Sequence, residues 1–80
     1  MDVKDIKPDR ILDCVGLACP MPIFKTSTSI SAMKPGQVLE VLSDDEGIEK
    51  DMPAWCRRTG NDFLGLTKNG DEYHVFVRKK

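Results

Sequence analysis

The residues best suited to chemistry in this 80-residue chain are Cys19 and the two prolines that follow it, in the run Leu17-Ala18-Cys19-Pro20-Met21-Pro22-Ile23. The run separates a strand-like segment from a helix-like one, so the thiol falls beside the first turn of a helix. That turn carries unpaired N–H groups and the positive end of the helix dipole. Both favour thiolate over thiol, and the thiolate is the nucleophile. Pro20 and Pro22 stiffen the backbone around the sulfur and are hard to explain as ordinary turn chemistry. Two registers of the helix are compatible with them. Cys19 can be the N-cap with Pro20 as the first helical residue, or Met21 the N-cap with Pro22 first; the second is preferred.

Other residues bear on the same sulfur. Gly16 suits a backbone conformation that side chains resist. Asp13 is placed to hold loop N–H groups; acting on the thiol suits it less, because a nearby carboxylate raises a thiol's pKa. Cys14 is either a packed residue at a strand end or a resolving thiol that could close a disulfide with Cys19. Cys56 falls on an apolar helical stripe and reads as core. The only histidine, His74, lies far along the chain on a strand, so no catalytic dyad is apparent. A thiol tuned by backbone alone suits accepting and passing on a group better than hydrolysis, which needs a base and an oxyanion site. Cys14, Cys19, Cys56 and His74 are zinc-ligand types, but their spacing matches no metal motif. Neither a metal nor a cofactor is expected.

The elements that must position these residues follow from pattern. Arg10 to Cys14 reads as a first strand after a frayed lead-in over residues 1–9. Pro22 to Met33 reads as a helix with Ile23, Phe24, Ile30 and Met33 on its apolar face and Ser27 small between them. Lys34-Pro35-Gly36 stops it. Gln37 to Leu42 is a second strand. Ser43, Asp44 and Asp45 offer N-cap side chains for a second helix bearing Ile48, Met52, Trp55 and Cys56. Pro53 fits if its regular part starts near Glu49 or Lys50. Gly60 suits the helix end. Asp62 to Thr67 and Glu72 to Arg78 are strands joined through Asn69-Gly70, a strong hairpin signal. Tyr73, Val75 and Val77 share one face of the last strand, His74 and Phe76 the other. The order β-α-β-α-β-β predicts an α+β two-layer sandwich: a mixed four-stranded sheet with two helices on one face, its other face partly open to water.

Composition bounds the function. A chain this short forms one domain and buries only about 60% of its unfolded surface, too little for a deep substrate cavity plus a large cofactor. A net charge of −1 argues against bulk electrostatic binding of nucleic acid. The first residues are charged, and no apolar run approaches the roughly 20 residues of a membrane helix, so neither signal peptide nor membrane association is expected. Three cysteines, an odd count, do not suggest a disulfide framework. The expected location is the cytoplasm, where thiols stay reduced.

The run Leu12-Asp13-Cys14-Val15-Gly16-Leu17-Ala18-Cys19-Pro20-Met21-Pro22 resembles the N-terminal signature of TusA/SirA-type sulfurtransferases. Met33-Lys34-Pro35-Gly36 and the stretch from Asp51 to Asn61 resemble the family as well, so the likeness spans roughly residues 10 to 78. Cys14 is not part of that signature. The resemblance implies a βαβαββ sandwich, in agreement with the order above. It also implies that Cys19 accepts sulfane sulfur as a persulfide. A donor protein of the cysteine desulfurase or rhodanese type would supply it and an acceptor protein would take it, in tRNA thiolation, sulfur oxidation or molybdenum cofactor synthesis. Two other readings compete. One is a thiol–disulfide redox switch using Cys14 and Cys19. The other is a non-catalytic protein- or RNA-binding module, since the implied fold is shared with the RNA-binding C-terminal domain of translation initiation factor three.

Overall fold

Strand pairing in the computed structural model, which describes residues 7–18 and 21–80, sets the layout of every functional residue. The elements are β1 (Arg10–Asp13), α1 (Met21–Ser31), β2 (Val38–Ser43), α2 (Ile48–Thr59), β3 (Asp62–Asn69) and β4 (Glu72–Arg78). They form one mixed sheet in the order β1-β2-β4-β3. β1 runs parallel to β2, while β4 is antiparallel to both β2 and β3. α1 packs on β1 and β2, α2 packs on β3 and β4, and the helices touch each other, so both cover one face. This is the α+β two-layer sandwich expected from the element order.

Period-two alternation decides which side chains enter the core. Leu39 and Val41 of β2 and Tyr73, Val75 and Val77 of β4 meet Ile30, Met33, Ile48, Met52, Trp55 and Cys56 from the helical side. The other face carries Glu40, Leu42, His74 and Phe76 with no helix over it. Phe76 is nonetheless buried; it pairs across β3 with Gly65, which has no side chain to contest the space. His74 is held on this face between two carboxylates, Nδ1 3.1 Å from Glu40 Oε2 and Nε2 3.5 Å from Glu72 Oε1.

Several boundaries differ from expectation for identifiable reasons. β3 runs on to Asn69, which pairs with Glu72, so the two-residue connection is Gly70-Asp71 rather than Asn69-Gly70. Gly70 has φ +64° and among the described residues only glycines take a positive φ, so the turn has glycine at its first central position, the II′ arrangement. Asp9, expected in a frayed lead-in, is held: its N–H donates to the Val38 carbonyl and its Oδ2 accepts from the Val38 N–H, both at 2.8 Å. α2 begins at Ile48, so Pro53 sits in the second turn, beyond the first four N–H groups.

α1 shows the largest correction. Its inward face is Pro22, Thr26 and Ile30, continued by Met33, while Phe24 is 58% exposed and Ile23 only half-buried. A fully buried threonine replaces the expected phenylalanine because its hydroxyl donates to the Pro22 carbonyl at 2.7 Å and needs no water. Position in the turn outweighs hydrophobicity here.

Candidate functional site: the connection between β1 and α1

Because β1 and β2 are parallel, the connections that leave them emerge at the same end of the sheet. The first spans residues 14–20. Cys19 and Pro20 lie outside the described residues, so the site is built from what flanks them.

The backbone of this connection is closed by hydrogen bonds. Cys14 N–H donates to the Leu42 carbonyl at 2.7 Å, extending the β1–β2 ladder by one residue. Asp13 Oδ1 accepts from Val15 N–H at 3.0 Å, an Asx-type turn. Leu17 N–H donates back to the Cys14 carbonyl at 3.1 Å. Gly16 occupies the third position of that turn with φ +89°, the conformation a type II turn requires there. Gly16 N–H donates to Asp44 Oδ1 at 3.0 Å, crossing 28 residues to the connection after β2. On the far side of residues 19 and 20, Met21 N–H donates to the Ala18 carbonyl at 2.9 Å.

Met21 is the first residue of α1. This corrects the preferred register: Met21 is not the N-cap and Pro22 is the second helical residue, a place where a missing N–H costs nothing because first-turn donors have no partner within the helix. Pro22 is fully buried against the core. No acidic residue of α1 stands in its first turn. The surface here is apolar: Val15, Met21 and Phe24 are each more than two-fifths exposed. Gly16, Leu17, Ala18, Asp44 and Asp45 line a shallow concavity of about 220 Å³.

Cys14 and Cys56 are both free and both buried. Burial pushes the Cys14 thiol up; Lys25 opposes this in part and Asp13 adds to it. Burial, with a smaller contribution from Asp62, pushes Cys56 up to about 11. Both are packed, protonated thiols at neutral pH, as a core role demands. Trp55 is likewise core. His74, on the uncovered face, is engaged by Glu40 and Glu72 rather than by this connection. Among the described residues no cluster of three or more potential ligands could hold a metal ion, and no helix is long and apolar enough to cross a membrane.

Asp44 went unrecognised in the sequence except as a helix cap. The signal was available in principle: once β1 and β2 are read as parallel, the residues just after each must be neighbours. The helix it was offered to cap uses a different device. Gly47 is the N-cap residue of α2 and no side chain caps it, while Asp45 Oδ1 accepts from Gly47 N–H at 3.1 Å.

Comparison with known proteins bears on the family and the fold. The family model for sulfurtransferase TusA matches residues 10–79. The Bacillus subtilis protein YrkI is 40% identical over 74 residues, covering 92% of this chain and 99% of that protein. The sulfur carrier protein TusA of Allochromatium vinosum is 38% identical over 71 residues, covering 89% of this chain and 93% of that one. Some relatives are longer, and the chain spans about two-fifths of their length. Among solved structures, a SirA-like protein from Desulfitobacterium hafniense superposes with a TM-score of 0.76 at 20% identity, over 86% of this chain and 95% of that one; it shares the fold.

Proposed function

The chain belongs to the TusA sulfurtransferase family, and from that premise we propose that it is a sulfur carrier whose Cys19 holds sulfane sulfur as a persulfide between a donor and an acceptor protein. The Cys19 thiolate attacks the terminal sulfur of a donor persulfide. One S–S bond forms on Cys19 while the donor's S–S bond breaks, and the donor cysteine leaves as a thiolate. An acceptor thiolate then removes the same sulfur atom by the reverse exchange. Electrons balance at each step, so no outside oxidant or reductant takes part.

The observation that carries this reading is the start of α1. The helix begins two residues after position 19 with no carboxylate of its own in its first turn. The positive end of its dipole, near which Asp44, Asp45 and Asp51 of the neighbouring elements also stand, favours an anion there. Around it, exposed Val15, Met21 and Phe24 offer apolar area on which a partner could seat. Donors of the cysteine desulfurase or rhodanese type, and an acceptor in tRNA thiolation, sulfur oxidation or cofactor synthesis, fit the chemistry. A reduced cytoplasmic setting suits a thiol carrier. The rival redox switch is disfavoured by Cys14, which has no exposed surface and a thiol pushed up by burial.

The test is intact-mass analysis after incubation with inorganic polysulfide. We expect the mass of one added sulfur atom, removed by reductant and mapped to the peptide containing Cys19. A Cys19→Ser variant that gains the same mass would refute the assignment.

A further inference from the structure

We propose that Asp44 is a positioning residue for sulfur transfer: its carboxylate, by holding the Gly16 N–H, fixes the connection from which Cys19 is presented. This inference rests on the reading of Cys19 as the sulfur-bearing residue.

Between the end of β1 and Leu17, every N–H has a partner. Those of Cys14 and Leu17 are satisfied by main-chain carbonyls, and that of Val15 by Asp13, two residues earlier. All three bonds either continue the ladder or stay within the turn. Gly16 alone is held by a side chain from another part of the chain, at 3.0 Å. It is also the residue with φ +89° at the apex of the turn. The turn is thus pinned at its base by β2 and at its apex by Asp44, and Cys19 follows that apex by three residues.

Asp44 is itself well anchored. It follows Ser43, the fully buried last residue of β2. Asp45 N–H donates to Ser43 Oγ at 3.1 Å, and Asp45 Oδ1 accepts from Gly47 N–H, so the segment after Asp44 closes on itself. The chain on either side of Asp44 is thus hydrogen-bonded. Asp44 also lines the concavity with Gly16, Leu17 and Ala18, next to the residue that reacts. Loss of one hydrogen bond at an exposed turn does little to a fold, but sub-ångström misplacement of a reacting atom is costly in rate.

The experiment compares the parent protein with Asp44→Asn and Asp44→Ala. Asparagine keeps an oxygen acceptor for Gly16 N–H and removes the charge; alanine removes both. Three readouts are taken. One is the pH profile of Cys19 alkylation by iodoacetamide, resolved by peptide. The second is the rate of sulfur loading from inorganic polysulfide. The third is amide hydrogen exchange at Gly16. Asp44→Ala is expected to slow alkylation and loading roughly tenfold, the factor a single hydrogen bond supplies, and to expose the Gly16 amide to exchange. Asp44→Asn should be no more than about twofold slower than the parent in either rate, because the acceptor is retained and a carboxylate that opposes the thiolate is removed. Unchanged rates in Asp44→Ala overturn the proposal. So does an equal loss in Asp44→Asn, which would make charge the cause, and so does an unprotected Gly16 amide in the parent, a result that needs no variant to fold. Failure of the parent to load sulfur would strike the proposed function, whereas the alkylation and exchange arms judge Asp44 separately.

Discussion

The two strand-to-helix connections of this fold leave the same end of the sheet and are built in opposite ways. The one after β2 holds its own N–H groups with its own side chains. Ser43 and Asp45 satisfy N–H groups within it, and α2 then begins with Glu49 and Asp51 in its first turn, so the positive end of its dipole is answered by its own carboxylates. The one after β1 is not self-contained. It borrows Asp44 from its neighbour to hold Gly16, and α1 begins with no acidic residue. On the same scaffold, one helix start carries its own carboxylates and the other has carboxylates only from neighbouring elements.

Each βα unit also holds one buried thiol, and the largest effect we expect concerns these. Cys14 and Cys56 both have folded-state pKa values above the ordinary 9.0, that of Cys56 near 11. The unfolded chain therefore loses protons first as pH rises, so their contribution is complete below pH 9 and is lost above it, that of Cys56 between 9 and about 11. For Cys56 the loss is on the order of 2 kcal/mol at the upper end. Urea unfolding at stepped pH checks this. A midpoint that stays flat across the window in a Cys19→Ser protein would mean the thiols are not buried as described.

The glycines of the two connections should respond with opposite signs. Gly16→Ala places a Cβ in open space but at φ +89°, so backbone strain alone should cost about 1–2 kcal/mol. Gly47, at φ −61° and ψ −19°, already has a conformation alanine prefers, and its Cβ would meet Asp45 at an ordinary 3.4 Å. Gly47→Ala should be neutral or stabilise by up to about 1 kcal/mol through the unfolded chain. Chemical denaturation of both variants decides whether the asymmetry is real; equal effects would erase it.

The smallest effects test the helix ends directly. Glu49→Gln should lower stability by about 0.3–1 kcal/mol at low salt, less at high salt. Phe24→Glu supplies the carboxylate α1 lacks at an exposed position, and should slow Cys19 alkylation at neutral pH by roughly two- to fivefold through the same interaction. If Phe24→Glu leaves that rate alone, the helix end has no influence on the sulfur.

Much of this was legible in the sequence. β4 runs from Glu72 to Arg78 as its alternation indicates, and Trp55 and Cys56 are core as their stripe indicates, because these segments have one face packed and one not. α1 misled because its inward face is set by where the helix starts, and Pro22 and Thr26 do not look like core residues. Thr26 becomes one only when Pro22 supplies an acceptor. The Asp44–Gly16 bond was invisible for a different reason: no local pattern links residues 28 apart, and only the parallel pairing of β1 with β2 brings them together.

The central claim is that this molecule presents one reactive sulfur and shields the other two. Peptide-resolved alkylation of the native protein at neutral pH, with trace iodoacetamide, measures all three cysteines at once. The account predicts rapid labelling of Cys19, faster than a free cysteine, with Cys14 and Cys56 labelled only after denaturant is added. Labelling of Cys14 or Cys56 in the native state at a rate equal to that of Cys19 would contradict it.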